Sequence, residues 1–170
     1  MSTRPTSDRL RETLFNVLGP RVAGARFVDL YAGSGAVAIE ALSRGAAHVV
    51  LVEHARGAVT AIRGNLAALG LATRATVEAR EVERALPALL KTPQPAGIVF
   101  LDPPYDADEA YASTLQFLAQ HHAALLDEDA LVVAEHSSKK ELPARVGALE
   151  RTRVLRQGDA ALSFYRVAEA

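Results

Sequence analysis

Ile98, Val99, Phe100 and Leu101 form an apolar run with no polar alternation inside the segment Gly97 to Asp102. A strand of that kind hides both of its faces, which suits a central parallel strand. Parallel strands in turn need helical crossovers that cover the sheet on both sides. The chain supplies these pieces in order. Arg26 to Tyr31, His48 to Glu53, Ala75 to Ala79 and Leu131 to Glu135 read as further strands. The stretch from Gly35 to near Arg44-Gly45, then Ala55 to Leu69, Val82 to Leu90 and Glu109 to Ala123, read as helices. A leading helix is predicted over Ser7 to Leu18, where Leu10, Leu14, Val17 and Leu18 form one stripe, Ser7 supplies a cap and Gly19-Pro20 a stop. Glu150 to Val167 is expected to form two strands around the turn Gln157-Gly158-Asp159. The expectation is an α/β fold with an open, mainly parallel, doubly wound sheet whose ligands sit at the carboxyl ends of the strands. One domain is expected over residues 1–170, with the leading helix in 1–20 and the sheet core in 21–170.

Composition narrows the chemistry. Cysteine is absent, which excludes disulfides, thiolate metal sites and a cysteine nucleophile. His48, His54, His121, His122 and His136 show no metal-ligand spacing, so no metal is expected. No stretch approaches about 18 apolar residues, and Met1 to Leu10 is polar and basic, so neither a membrane span nor a signal peptide is expected and a cytoplasmic location is. A formal net charge of -1 lacks the basic signature of a nucleic-acid protein, leaving only local patches. Arg4, Arg9 and Arg11 cluster at the start, and Arg151, Arg153, Arg156 and Arg166 near the end.

The first strand runs into Asp29-Leu30-Tyr31-Ala32-Gly33-Ser34-Gly35. Gly33 and Gly35 let the backbone approach a ligand, and the helix that follows points its free N–H groups at it. Glu53 ends the second strand, where an acid can hold both hydroxyls of a ribose. A nicotinamide dinucleotide and S-adenosyl-L-methionine both answer to this pattern. Asp29 separates them, because a carboxylate there repels a pyrophosphate and attracts amino and sulfonium cations. Asp29, Tyr31, Gly33, Ser34, Gly35 and Glu53 are therefore the candidate donor-binding set. By position only, Glu81 and Val82 after the third strand join it, facing the adenine 6-amino group and ring through the Glu81 side chain and the Val82 N–H.

The fourth strand ends in Asp102-Pro103-Pro104-Tyr105. Methyl transfer to the exocyclic amine of a base needs acceptors that take the amine hydrogens and turn its lone pair out of conjugation. Asp102 and the Pro103 carbonyl are suited to this, Pro103 and Pro104 fix the backbone, and Tyr105 can stack on an extruded base. These four are the candidate catalytic residues.

Taken together, these segments resemble the bacterial small-subunit ribosomal RNA methyltransferases that modify the exocyclic N2 of a guanine. Arg4-Pro5-Thr6-Ser7-Asp8-Arg9-Leu10-Arg11-Glu12 with Leu14-Phe15-Asn16 resembles the family's leading motif. Asp29 to Gly35 with Glu40 to Ala46 resembles its cofactor loop and first helix, and Leu101 to Tyr105 its catalytic motif. The resemblance implies a Rossmann-like, seven-stranded methyltransferase sheet with its last strand antiparallel, and S-adenosyl-L-methionine as donor. It further implies a guanine of 16S rRNA, guanine 966, within the assembled or assembling 30S subunit. It places Arg4, Arg9 and Arg11 as RNA contacts, and a monomer is expected. Family members carry a basic Gly- and Arg-rich segment ahead of Arg-Pro-Thr, and this sequence starts almost on that motif, so weak RNA binding is expected of it.

Other readings of the residues stay open at this point. Adenine-N6 methylation of DNA and glutamine methylation of protein fit the Asp-Pro-Pro-Tyr cage, although neither accounts for the leading motif. A nicotinamide-dependent oxidoreductase fits the glycine loop, and a catalytically silent RNA-binding assembly factor fits the basic ends. Ser137-Ser138-Lys139-Lys140 contains an S-x-x-K string without companion motifs and reads as a solvated loop.

Overall fold

A computed structural model describes residues 7–91, 93–104 and 107–169. Its strands are β1 (Arg26–Asp29), β2 (His48–Val52), β3 (Ala75–Glu78), β4 (Ala96–Leu101), β5 (Leu126–Ser137), β6 (Arg145–Val146), β7 (Leu149–Gln157) and β8 (Ala160–Val167). Its helices are α1 (Asp8–Leu18), α2 (Ala36–Ser43), α3 (Arg56–Ala68), α4 (Val82–Lys91), α5 (Asp108–Gln120) and α6 (His122–Leu125). The strands form one sheet in the order β3-β2-β1-β4-β5-β8-β7-β6. β1 pairs in parallel with both β2 and β4, β2 with β3, and β4 with β5. β8 enters antiparallel between β5 and β7, the arrangement expected of the last strand.

Alternation along the strands sorts the core into two layers. Phe27, Val49, Leu51, Ile98, Phe100 and Val133 face one way and pack with Leu10, Leu14 and Phe15 of α1, Val37 and Ala41 of α2, and Ile62 of α3. Val28, Val50, Val52, Val99, Leu101 and Val132 face the other way, against Leu86 of α4, Tyr111 and Leu115 of α5, and Leu125 of α6. Burial on both faces explains why the β4 segment carries no polar residue. Ser7 caps α1 as its sequence suggests, its hydroxyl accepting from the Leu10 N–H at 3.1 Å.

Three boundaries differ from the sequence reading. The sheet has an eighth strand, β6, whose two residues pair with Glu150 and Leu149 and are too few to carry a period. β5 begins at Leu126 rather than Leu131, because exposed Asp127, Glu128 and Asp129 continue the extended chain before its apolar part. The single helix expected over Glu109 to Ala123 is two, α5 and the four-residue α6, broken at His121.

The topology fixes where a ligand belongs. The chain lays β2 and β3 outward on one side of β1, then returns to place β4 on the other side. Loops leaving β1 and β4 therefore part in opposite directions and open a crevice at the carboxyl ends of the strands.

Candidate active site

A cleft of about 630 Å³ occupies that switch point. Its lining includes Asp29 at the end of β1 with Tyr31, Gly33 and Ser34 after it, Glu53 after β2, Glu81 and Val82 where the chain enters α4, and Asp102 and Pro104 after β4. Residues far apart in sequence thus meet because every one of them ends or follows a parallel strand. Gly35 and Pro103 are not part of this lining, and both are buried. Tyr105 lies outside the described residues, as does Arg4.

The glycine turn has a defined geometry. Gly33 and Gly35 take φ of 56° and 82°, a region that side-chain-bearing residues rarely adopt. A Cβ at Gly35 would lie 3.1 Å from Ile62 Cγ1, so this glycine also sets how closely the start of α2 packs on α3. A Cβ at Gly33 would meet nothing within 4 Å, because that position faces the open cleft. Glu53 ties the turn down. Its Oε1 accepts from the Gly33 N–H at 2.8 Å and its Oε2 from the Ala55 N–H at 3.0 Å.

Asp29 is 1% exposed, and its Oδ1 has no hydrogen-bond partner among the described residues. Burial, with the charges of Glu53 and Glu135 adding to it, pushes its pKa up to about 8. A buried carboxyl group with an unpartnered oxygen at the wall of a cleft is a poor surface for an anion and a ready one for a cation. Tyr31 is anchored by its hydroxyl, 3.1 Å from Thr114 Oγ1 of α5, and burial raises its pKa despite that bond. The Pro104 carbonyl accepts from the Ala107 N–H at 2.9 Å, turning the chain from the Asp102 loop into α5.

Glu135, His54, Arg80 and Glu83 belong to this neighbourhood and were not predicted from sequence. Glu135, 2% exposed, ends the apolar part of β5 and acts on Asp29 through its charge, while the other three line the cleft. Position after a strand was the available signal for Glu135, His54 and Arg80, as it was for Glu53. Arg9 is exposed on α1. Arg11 differs from its expected role. Its side chain is only 21% exposed, and its guanidinium pairs with Asp8 at 3.1 Å and with Glu40 of α2 at 3.4 Å, so it fastens α1 to α2.

The family described as Conserved hypothetical protein 95 matches residues 1–166 of this sequence. The chain belongs to that family. As a member of Conserved hypothetical protein 95, it is 39% identical over 165 residues to YlbH of Bacillus subtilis, a protein whose name assigns it provisionally to the rRNA methyltransferases. That alignment covers 97% of this chain and 88% of the relative. It is 37% identical over 140 residues to ribosomal RNA small subunit methyltransferase D of Escherichia coli K12, covering 82% of this chain and 67% of that protein. Among solved structures, a conserved hypothetical protein of Streptococcus pyogenes superposes with a TM-score of 0.81 at 37% identity, covering 91% of this chain and 93% of the other. An RNA methyltransferase of Salinibacter ruber, solved with S-adenosyl-L-homocysteine, superposes at 0.70 with 17% identity, covering 98% and 95%. The Conserved hypothetical protein 95 chain thus has the Rossmann-like fold of S-adenosylmethionine-dependent methyltransferases. Among its described residues no helix is long and apolar enough to cross a membrane, and no group of three or more His, Asp or Glu side chains is placed to hold a metal ion.

Proposed function

We propose that this protein transfers a methyl group from S-adenosyl-L-methionine to the exocyclic N2 of a guanine in 16S rRNA, within the small subunit or its precursor. The coarser part of this reading, rRNA methylation with that donor, is supported by the names of the E. coli and B. subtilis relatives. The observation that carries the finer part is the convergence on one cleft of an acid-lined glycine turn with Asp102 and Pro104 of the loop after β4.

The donor supplies a methyl group on a positively charged sulfur. Asp29 gives that cationic ligand an opposite charge once its proton leaves, and Glu53 accepts from the ribose hydroxyls with the lone pairs that Gly33 and Ala55 do not use. The Val82 N–H, at the first position of α4, has no acceptor within its own helix and serves the adenine ring, with Glu81 at the 6-amino group. On the acceptor side Asp102 takes one N2 hydrogen and the Pro103 carbonyl the other, which leaves the nitrogen lone pair facing the methyl carbon. The N–C bond forms as the C–S bond breaks, sulfur leaves as a neutral thioether, and one proton passes from nitrogen to Asp102 or water. Alignment of this kind is worth roughly 7 kcal/mol or more in favourable cases. No covalent enzyme intermediate is needed.

Radiolabelled methyl transfer onto small-subunit particles that lack the modification, with the product nucleoside identified by mass, tests the reading. N2-methylguanosine is the expected product. A methylated adenine, a methylated protein glutamine, or no labelled RNA would overturn it.

A further inference from the structure

The two ends of the sheet present opposite charge at the same rim. Above β3, β2, β1 and β4 lie Glu81, Glu83, Glu53, Asp29 and Asp102, together with Arg80, which pairs with Glu78 at 3.2 Å. The rim above β5, β8 and β7 carries Arg9, Lys139 and Arg156, and three sets of contacts place them there. Arg21 Nη1 donates to the Asp129 carbonyl near the start of β5, while Thr13 Oγ1 lies 2.7 Å from Gln157 Oε1 at the end of β7. Helix α1 therefore runs antiparallel to β5 and β7, and Arg9, one turn beyond Thr13, stands at the carboxyl-end rim. The turn after β5 is held by the Ser138 N–H on the Asp159 carbonyl at 2.8 Å, the Lys139 N–H on Ser137 Oγ at 3.2 Å and the Lys140 N–H on the Ser137 carbonyl at 3.0 Å. Lys140 pairs with Asp108, which joins the turn to the start of α5 and so to the loop that carries Asp102.

Within this turn Lys139 is exposed and makes no ion pair among the described residues, and the same holds for Arg9. Arg156 shares the carboxylate of Glu141 with Arg151, at 3.2 and 2.7 Å, so two guanidinium groups face one acid. Arg151 is largely covered and also donates to the Leu142 carbonyl, which leaves Arg156, 53% exposed, as the partner open to solvent. Exposed acids on this side include Asp8, Asp108 and Glu141, which are paired with Arg11, Lys140 and the Arg151–Arg156 couple, and Asp159, which has no ion pair among the described residues.

We infer that Arg9, Lys139 and Arg156 form a docking track for the phosphate backbone of the RNA strand whose base enters the cleft. This rests on the methyl-transfer reading above and names the surface that reading lacks. A polyanion is repelled by the acid-lined half of the rim and attracted by the other half. β4 and β7 are three strand spacings apart, about 14 Å, a span of two or three phosphates on an extended strand. The Lys140–Asp108 pair joins the track to the segment that follows Asp102, so a strand seated on it delivers an adjacent base to the acceptor side of the cleft from the side away from Glu53 and Glu81. The Ser137 to Lys140 string, read from sequence as a solvated loop, becomes the middle of the track.

The test uses the full chain and a labelled RNA containing the small-subunit segment that the wild type methylates. Arg9→Ala, Lys139→Ala and Arg156→Ala, singly and together, are titrated across a salt series. Each loss should weaken RNA binding by about five- to tenfold at 0.1 M salt and lower the salt slope by roughly 0.7 to 0.9. RNA KM should rise while kcat at saturating RNA and S-adenosylhomocysteine affinity stay unchanged. Lys139→Glu covers the case in which Arg156→Ala disturbs the Glu141 contacts, because Lys139 is exposed and unpaired; it should weaken binding more than Lys139→Ala. Arg153→Ala, an exposed cation in mid-β7, controls for net charge. Equal RNA KM and equal salt slopes for the wild type and the triple variant would overturn the track, as would an equal effect from Arg153→Ala. Failure of the methyl-transfer reading is separate, since the wild type would then label no small-subunit RNA at all.

Discussion

The parallel half of the sheet and its antiparallel half are built from similar residues and end in opposite ways. β1, β2, β3 and β4 are four to six residues long, and each must release the chain into a loop and a helix before the next parallel strand begins. β5, β7 and β8 are eight to twelve residues long, and β7 passes to β8 through a hairpin whose last pair is Gln157 and Ala160. A hairpin carries the ladder directly from one strand to its neighbour. A crossover leaves strand ends open and a helix N-terminus nearby. The difference teaches that concave chemistry in this fold is confined to the parallel half by connectivity, while the antiparallel half is free to offer a flat outer surface.

The largest expected effect that breaks this division is at Asp102. Asp102→Ala should lower kcat by about a hundredfold or more while S-adenosylhomocysteine affinity by calorimetry stays within a few-fold, because in the proposed reaction the acid serves the acceptor amine. A raised donor KM with intact kcat would make Asp102 a donor ligand instead. Next, Glu53→Ala should weaken S-adenosylhomocysteine binding about tenfold, the loss of a charged acceptor for buried hydroxyls. That substitution also frees the Gly33 and Ala55 N–H groups.

Two glycines compare the halves directly. Gly35→Ala should cost about 1 to 3 kcal/mol in urea unfolding, since a positive φ and a 3.1 Å contact with Ile62 act together. Gly158→Ala in the β7 to β8 turn has the positive φ but nothing within 4 Å, and should cost about 1 kcal/mol.

The subtlest contrast is in pH. Asp29 has a folded pKa of about 8 against an ordinary 3.8, so the donor-free fold holds the proton more tightly than the unfolded chain does. Its contribution is full below about 4 and is lost as pH rises through 8. His136, buried between β5 and β8 with Nε2 2.8 Å from Ser163 Oγ and Nδ1 2.9 Å from the Ser137 carbonyl, has its pKa lowered by burial. Its contribution is full above the ordinary 6.5 and is lost as pH falls below it. Melting curves from pH 5 to 9 should show Asp29→Asn flattening the alkaline limb and His136→Gln the acidic one. Since the proposed contact with the donor favours ionised Asp29, S-adenosylhomocysteine affinity should rise with pH up to about 8 and level off. A pH-independent affinity would remove Asp29 from the donor site.

Much of the parallel half is legible in the sequence because its signals are local. Apolar runs, the turn Gly33-Ser34-Gly35 and acids placed directly after strands name both the elements and most of the cleft lining. Contacts across the sheet are not local, and they account for what was missed. Nothing in the sequence near Arg11 indicates that Glu40, on another helix, will take its charge. Glu135 reads as the polar end of a strand, and only strand order brings its charge to bear on Asp29. β6 has too few residues for any pattern, and its pairing is decided by the return of β7.

The double tie made by Glu53 has a kinetic consequence. Because Gly33 and Ala55 already donate to its two oxygens, the turn around the donor site is set during folding and does not wait for a ligand. A donor entering the cleft meets this turn already set by those two bonds. Its observed association rate should therefore climb in proportion to concentration without reaching a plateau.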